Sequence, residues 1–293
     1  MIDAHLHLWD PARLDYDWLH HVPTIAGRQG PDEWAAQRSS VRRAVFVQAD
    51  CAPAQALDEV DWVEGLAHPA LDILGIVAFA PLEQGDAVAV HLDALRQRPR
   101  VRGVRRSVQN EVDDFIAEPR HLDGLVAAAR RGLTIDVCAR DHQLPILIDT
   151  LARLFQRVPE ARVVLDHLGK PDIAAHRGDI QGAGWADNLR VLARFPNLFA
   201  KVSGLTTQAD WADRRNETLR PYIDHALDCF GPERLMFGGD WPVADLAGGH
   251  GRWLAAFTTA TAALPPADRL RIEAGTATDF YALAPERPQE TLP

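Results

Sequence analysis

Met1-Ile2-Asp3-Ala4-His5-Leu6-His7 and Leu235-Met236-Phe237-Gly238-Gly239-Asp240-Trp241-Pro242 are the two stretches whose reading decides the fold. Each reads as a short apolar strand with polar residues at its far end. His5 and His7 are two apart, so on a strand they project from one face. In a closed barrel of eight strands the first and last are neighbours, so His5, His7 and Asp240 can meet at one point. Convergent imidazole and carboxylate groups can hold a metal, a water or both.

Working outward, short apolar runs alternate with longer amphipathic ones. Strands are expected at 2–7, 43–49, 72–78, 101–107, 133–138, 162–167, 198–203 and 234–240. Helical patterns follow at 31–40, 54–68, 86–98, 119–131, 143–158, 185–195, 218–230 and 250–264. Strand-then-helix alternation implies a parallel sheet covered by helices. Eight repeats point to an α/β, single-domain (β/α)8 TIM barrel over 1–283, with an open doubly wound sheet as the structural alternative. Two late helical pieces, 266–273 and 276–283, follow, and the proline-bearing tail 284–293 is expected to fray. No GxGxxG follows a strand and no P-loop is found, so no organic cofactor is expected.

Composition narrows the partners. The chain has 293 residues, of which 47% are apolar, enough for a full core. Its net charge of −10 argues against nucleic acid or an anionic membrane as partner. The most apolar stretch, 73–82, is about half the length that spans a bilayer. Three scattered cysteines without CxxC, and an N-terminus with no basic segment before an apolar run, lead us to expect a cytoplasmic protein. Oligomeric state is left open.

Catalytic residues of such barrels come from the C-terminal ends of the strands and the loops beyond them. Besides His5, His7 and Asp240, that rule singles out His167, after Val163-Val164-Leu165-Asp166. A lone histidine there is otherwise a structural hydrogen-bonder; Asp166 is expected to point outward or to support the backbone. Alternation from Gly103 aims Arg105 rather than Arg106 inward, where a guanidinium would bind a substrate oxygen. The alternative is a salt bridge at the rim. Gln48 would hydrogen-bond substrate or merely satisfy backbone groups. Trp18 and Trp241 are platforms for a sugar or ring face, or core packing. Asp240 reads as a catalytic carboxylate or as a helix N-cap. Lys201 should reach a carboxylate such as Asp136 or Asp240. The long loops 8–30, 169–184 and 204–217 are expected to roof the site, and Arg140 and Lys170 are further cations near it.

These blocks also resemble a known family. Ile-Asp-Ala-His-Leu-His-Leu-Trp-Asp-Pro, Phe-Val-Gln-Ala, Val-Arg-Gly-Val-Arg-Arg, Leu-Asp-His-Leu-Gly-Lys-Pro, Lys-Val-Ser-Gly-Leu and Met-Phe-Gly-Gly-Asp-Trp-Pro are similar to the amidohydrolase superfamily. The pattern is that of its sugar-lactonase and pyrone-dicarboxylate-lactonase branch. The resemblance implies a distorted barrel and a hydrolase acting on cyclic carboxylic esters, with L-fucono-, L-rhamnono- and L-galactono-type lactones nearest in pattern. It matches His5 and His7 to the family's first-strand pair, His167 to its sixth-strand histidine and Asp240 to its eighth-strand aspartate. The departures matter. Binuclear members carry a bridging lysine or glutamate on strand 4 and a histidine on strand 5, where this chain has Arg105, Asp136 and Cys138. A single divalent ion such as zinc could sit on His5, His7 and Asp240, and lactone hydrolysis need not depend on it. The sparse basic residues favour a neutral polyhydroxy lactone over a dicarboxylate. Alternatives are a metal-dependent decarboxylase of the same superfamily and a barrel that only binds a sugar acid.

Overall fold

The computed structural model describes residues 1–180, 184–212 and 215–283. The expected tail at 284–293 lies outside them. Eight strands form one sheet in sequence order: β1 (Ile2–Leu6), β2 (Arg43–Val47), β3 (Asp72–Phe79), β4 (Val101–Arg105), β5 (Thr134–Val137), β6 (Val163–Leu165), β7 (Leu198–Val202) and β8 (Leu235–Phe237). All seven consecutive pairs are parallel. The sheet closes at its C-terminal end, where Asp240 N–H donates to the His5 carbonyl and His7 N–H to the Trp241 carbonyl, both at 2.8 Å. This is the (β/α)8 barrel, with helices between the strands packed around it.

The helices bury one stripe each. In Leu144–Arg157, Leu144, Leu147, Leu151 and Leu154 are buried, spaced three or four apart, as a helix with one core-facing side requires. Inside the barrel, Ile2, Ala4, Val45, Val77, Val164 and Met236 form a separate apolar cluster. The last helix, Thr276–Phe280, packs Ala277 and Phe280 into that cluster, along with the following Tyr281. Phe280 packs on Phe199 at the start of β7, and Arg162, just before β6, donates to the Asp279 carbonyl, so the C-terminal segment plugs the N-terminal mouth and leaves the other mouth for chemistry. Among the described residues no helix is long and apolar enough to cross a membrane.

Two backbone irregularities set what points inward. Along β1, Asp3 lies opposite Ala44 of β2, but Leu6 lies opposite Phe46, so β1 carries one extra residue. Ala4 belongs to the interior cluster and Leu6 to the outer one. The bulge therefore shifts the alternation, and His5 and His7 turn inward while Asp3 stays outside. Asp3 Oδ1 accepts from His5 N–H (2.9 Å) and Gly239 N–H (2.7 Å), tying β1 to the end of β8. Along β6 the alternation puts Val164 and Asp166 inside. His167 would then face out, but its φ of +54° rotates it inward too.

Candidate active site

Three imidazoles converge on one carboxylate. Asp240 Oδ1 lies 3.6 Å from His7 Nε2, 3.9 Å from His5 Nε2 and 3.9 Å from His167 Nε2. The two strand-1 Nε2 atoms are 3.1 Å apart. All four side chains are almost fully buried. The gaps around Asp240 Oδ1 are too wide for direct hydrogen bonds and suit an intervening water or small cation. Gly204 makes room for the cluster: its φ is +63°, and a Cβ there would come within 2.6 Å of His167 Nδ1 and 3.1 Å of Asp240 Oδ2.

Hydrogen bonds orient the rings. His7 Nδ1 lies 2.8 Å from the Val47 carbonyl, which can only accept, so Nδ1 donates there and Nε2 faces the cluster. His5 Nδ1 lies 3.2 Å from both the Asp166 carboxylate and the Lys201 ammonium, so an acceptor and a donor meet it there. A histidine whose far nitrogen donates to a carboxylate or carbonyl is arranged as metal-ligating histidines are. His5, His7 and Asp240 thus form a donor set that fits one divalent ion. His5 and His167 stay neutral: burial first, then neighbouring cations and imidazoles, hold both well below the ordinary histidine range. Burial alone would raise the Asp240 carboxyl. His167, His7 and Lys170 reverse that and hold it below the usual carboxylate value, so it is ionised at neutral pH.

Beneath the imidazoles lies a buried ionic layer. Lys201 pairs with Asp136 and, at 3.0 Å, with Asp166 Oδ1. Arg105 donates to Asp166 Oδ2 at 3.2 Å and to the Gln48 carbonyl at 2.7 Å, and its Nη1 is 3.4 Å from His5 Nε2. Tyr281 donates its hydroxyl to Asp136 from the plug below. Burial pushes Asp136 up to about 6, with Lys201 opposing and the Asp166 carboxylate adding to it. Burial opposes ionisation of Asp166 as well, yet Lys201 and Arg105 bring its carboxyl below the usual value.

Above the imidazoles opens a cavity of about 180 Å³, walled by His7, His167, Asp240, Arg105 and Cys138. Its rim comes from Trp18, Asp50, Gln109, Asn110, Lys170 and Val243. A second hollow of about 290 Å³, beside Ile173, Ala209 and Thr218, touches none of the four convergent residues.

The structure thus brings together His5, His7, His167, Asp240 and Arg105, with Trp18 at the rim. Arg106 instead pairs outside with Glu83 and Glu111. Four expectations need correction. Gln48 is out of phase with the inward Val45 and Val47; its amide is spent on Asp50, and only its backbone carbonyl serves the site, through Arg105. Trp241 is fully buried against Trp34, with Nε1 on Asp245, and offers the cavity no face. Asp166 points inward, into the ionic layer. Arg140 braces Gln109 and Asn110 rather than lining the cavity. Of the loops expected to roof the site, 8–30 contributes Trp18 and 169–184 contributes Lys170. Among the described residues 204–217 contributes none, and the segment after β4 takes its place. Asp50, Gln109 and Asn110 went unread, although polar residues just past strand ends are the signal that could have found them. Ser203, on His167 Nδ1 at 2.8 Å, was also missed.

The wall below Asp50 rests on another buried carboxyl. Glu59 Oε1 accepts from Ala49 N–H at 3.1 Å and from the Tyr16 hydroxyl at 3.3 Å. Burial raises Glu59 from 4.5 to about 8, so the folded protein keeps a proton there that the unfolded chain releases. Between those two values the folded state binds more protons, and stability falls as pH rises. The Glu59→Gln variant, which cannot ionise, is expected to melt several degrees higher than wild type at pH 8 and to lose that advantage at pH 5. Thermal melts at both pH values check it; a difference independent of pH would contradict it.

The family model described as Amidohydrolase (Amidohydro_2) matches residues 2–283. An L-fucono-1,5-lactonase of Burkholderia ambifaria is 33% identical over 292 residues, covering 96% of this chain and 95% of the relative. A crystal structure of an amidohydrolase from Burkholderia multivorans with bound HEPES superposes with a TM-score of 0.84 at 31% identity, over 97% of this chain and 99% of that one. A second structure from the same organism, with bound zinc, gives a TM-score of 0.83 at 31% identity, over 97% of this chain and 99% of that one.

Proposed function

The chain belongs to the amidohydrolase family, and from that premise we propose that it hydrolyses a sugar lactone to the aldonic acid, an L-fucono- or similar L-sugar 1,4- or 1,5-lactone being the expected substrate. The observation that carries this reading is the convergence of three imidazoles on an ionised, buried Asp240 at the floor of a small cavity. The L-fucono-1,5-lactonase relative supports the substrate class.

Asp240 acts as general base on a water held between its Oδ1 and the strand-1 imidazoles. The water's oxygen bonds to the lactone carbonyl carbon as its proton passes to Asp240. The carbonyl oxygen becomes an oxyanion, which needs donors aimed at it. His167 supplies one from Nε2 when the Ser203 hydroxyl donates to Nδ1, and Arg105 supplies a second, positive group. Collapse of the tetrahedral species breaks the bond to the ring oxygen, which leaves as an alkoxide and takes the proton back from Asp240. The products are a carboxylic acid and a hydroxyl, with every atom accounted for. Trp18 supports the sugar ring from the rim. A divalent ion, zinc being the candidate, would be held by His5, His7 and Asp240 and would supply Lewis-acid polarisation of the carbonyl. Three free cysteines support a reducing, cytoplasmic setting.

A pH-indicator assay for acid release across L-sugar lactones, a pyrone dicarboxylate and an aromatic carboxylate, with and without chelator, tests this. Turnover of an L-sugar lactone well above the uncatalysed rate is expected. Survival of that turnover under chelation would make the ion dispensable; loss restored by zinc would make it part of the machinery. Silence on every lactone would overturn the reading, and chelator-sensitive turnover of the aromatic carboxylate alone would replace it with a decarboxylase.

A further inference from the structure

Asp50 is a charged residue on the cavity wall that the hydrolytic scheme leaves unused. It follows β2, lines the same cavity as Asp240 and is exposed to it. Its φ is +55°, a conformation that aspartate tolerates better than most residues. Gln48 fixes it twice: Asp50 N–H donates to Gln48 Oε1 at 2.6 Å, and Gln48 Nε2 donates to Asp50 Oδ1 at 2.9 Å. Gln48 is itself fully buried, and its carbonyl accepts from Arg105. The residue that aims the Arg105 guanidinium thus also aims the Asp50 carboxylate. Among the described residues no other side chain bonds to that carboxylate, which leaves Oδ2 open to a ligand.

An ionised carboxylate only accepts hydrogen bonds, and sugar hydroxyls donate them. Beside it, Trp18 is anchored through Nε1 on the Ala49 carbonyl at 2.8 Å and presents its ring to the same cavity. An aromatic face with an adjacent acceptor suits a ring that has one apolar side and a hydroxylated edge. Of the two cations on the cavity, Arg105 is offset by the Asp166 carboxylate, whereas Lys170 donates to the neutral Gln109 side chain and keeps its charge. A carboxylate on the substrate would meet two carboxylates, Asp50 and Asp240, with Lys170 alone to offset them.

We propose that Asp50 is the specificity-determining residue of this site: it binds the hydroxyls of a neutral polyhydroxylated lactone and excludes lactones that carry a carboxylate. This rests on the lactonase reading above. The test compares kcat/KM for a neutral L-sugar lactone with that for an aldarolactone, the carboxylate-bearing counterpart, in wild type, Asp50→Asn and Asp50→Gly. Asparagine and glycine both accept the positive φ. Because the readout is a ratio within one preparation, partial unfolding cancels.

Wild type is expected to prefer the neutral lactone. In both variants the neutral-to-anionic ratio is expected to fall tenfold or more, with the loss on the neutral lactone falling mainly on KM. A wild type active on the neutral lactone whose ratio is unchanged in both variants would overturn this proposal alone. A wild type inert on every lactone would overturn it together with the reading beneath it.

Discussion

Replacing Asp240 with asparagine is expected to lower kcat on a sugar lactone by roughly 100- to 10,000-fold, the range a positioned general base contributes. KM should change little, because the proposed role of the carboxylate is to take a proton rather than to grip the sugar. The fold should survive. The main-chain bonds of Asp240 to the His5 carbonyl and from Ala244 N–H, both 2.8 Å, do not involve its side chain. Asparagine also tolerates the φ of +54° found at this position. An amide has no proton-accepting anion to offer the water, although it fills nearly the same space beside the three imidazoles. Steady-state kinetics with circular-dichroism melts checks both halves. A variant within tenfold of wild-type kcat would remove Asp240 as the base, and a collapsed melting temperature would make its role structural.

The second large effect concerns stability. Lys201 is fully buried and stands between two buried carboxylates, Asp136 and Asp166, with Arg105 on the far side of Asp166. Such a layer is costly to assemble, but removing one partner strands the others. Lys201→Met fills similar volume without charge and is expected to destabilise the protein by about 3–5 kcal/mol in urea unfolding. The double variant Lys201→Met/Asp136→Asn, in which the stranded carboxylate is neutral, should recover part of that loss. Equal destabilisation in the single and double variants would show that the loss comes from packing and not from an unpaired charge. The layer also explains why the imidazoles stay in place: His5 Nδ1 rests on Asp166, and Arg105 reaches His5 from the side.

The barrel was readable because its eight apolar runs alternate with amphipathic ones and several of the runs end in polar residues. Strand ends shifted by a few residues, but the polar termini still fell at one mouth. The convergence of His5, His7 and Asp240 needed closure between β1 and β8, which follows from strand order alone. Period-two alternation decided the inward residues correctly at Arg105, where β4 runs regularly from Gly103. It allows only one of Asp166 and His167 to face inward, and both do, because His167 takes a positive φ that no strand periodicity reveals. Gln48 was misjudged for the opposite reason: β2 is regular, and regularity turns its side chain away. At His5 and His7 the shared face was read correctly from their spacing, but which face it was depended on a bulge in β1. Trp241 sits just after Asp240, and chain proximity to the site said nothing of the Trp34 ring that buries it. The partners of Lys201 lie on other strands, so sequence could indicate only that a buried ammonium needs a carboxylate.

The most direct test of the central claim is hydrolysis of a neutral L-sugar lactone by the wild-type protein in water enriched in heavy oxygen, with the product read by mass spectrometry. Water attack at the carbonyl carbon predicts enzyme-dependent turnover with one heavy oxygen in the new carboxylate and none in the released hydroxyl. Heavy oxygen in the hydroxyl, or no turnover above the uncatalysed rate, would contradict it.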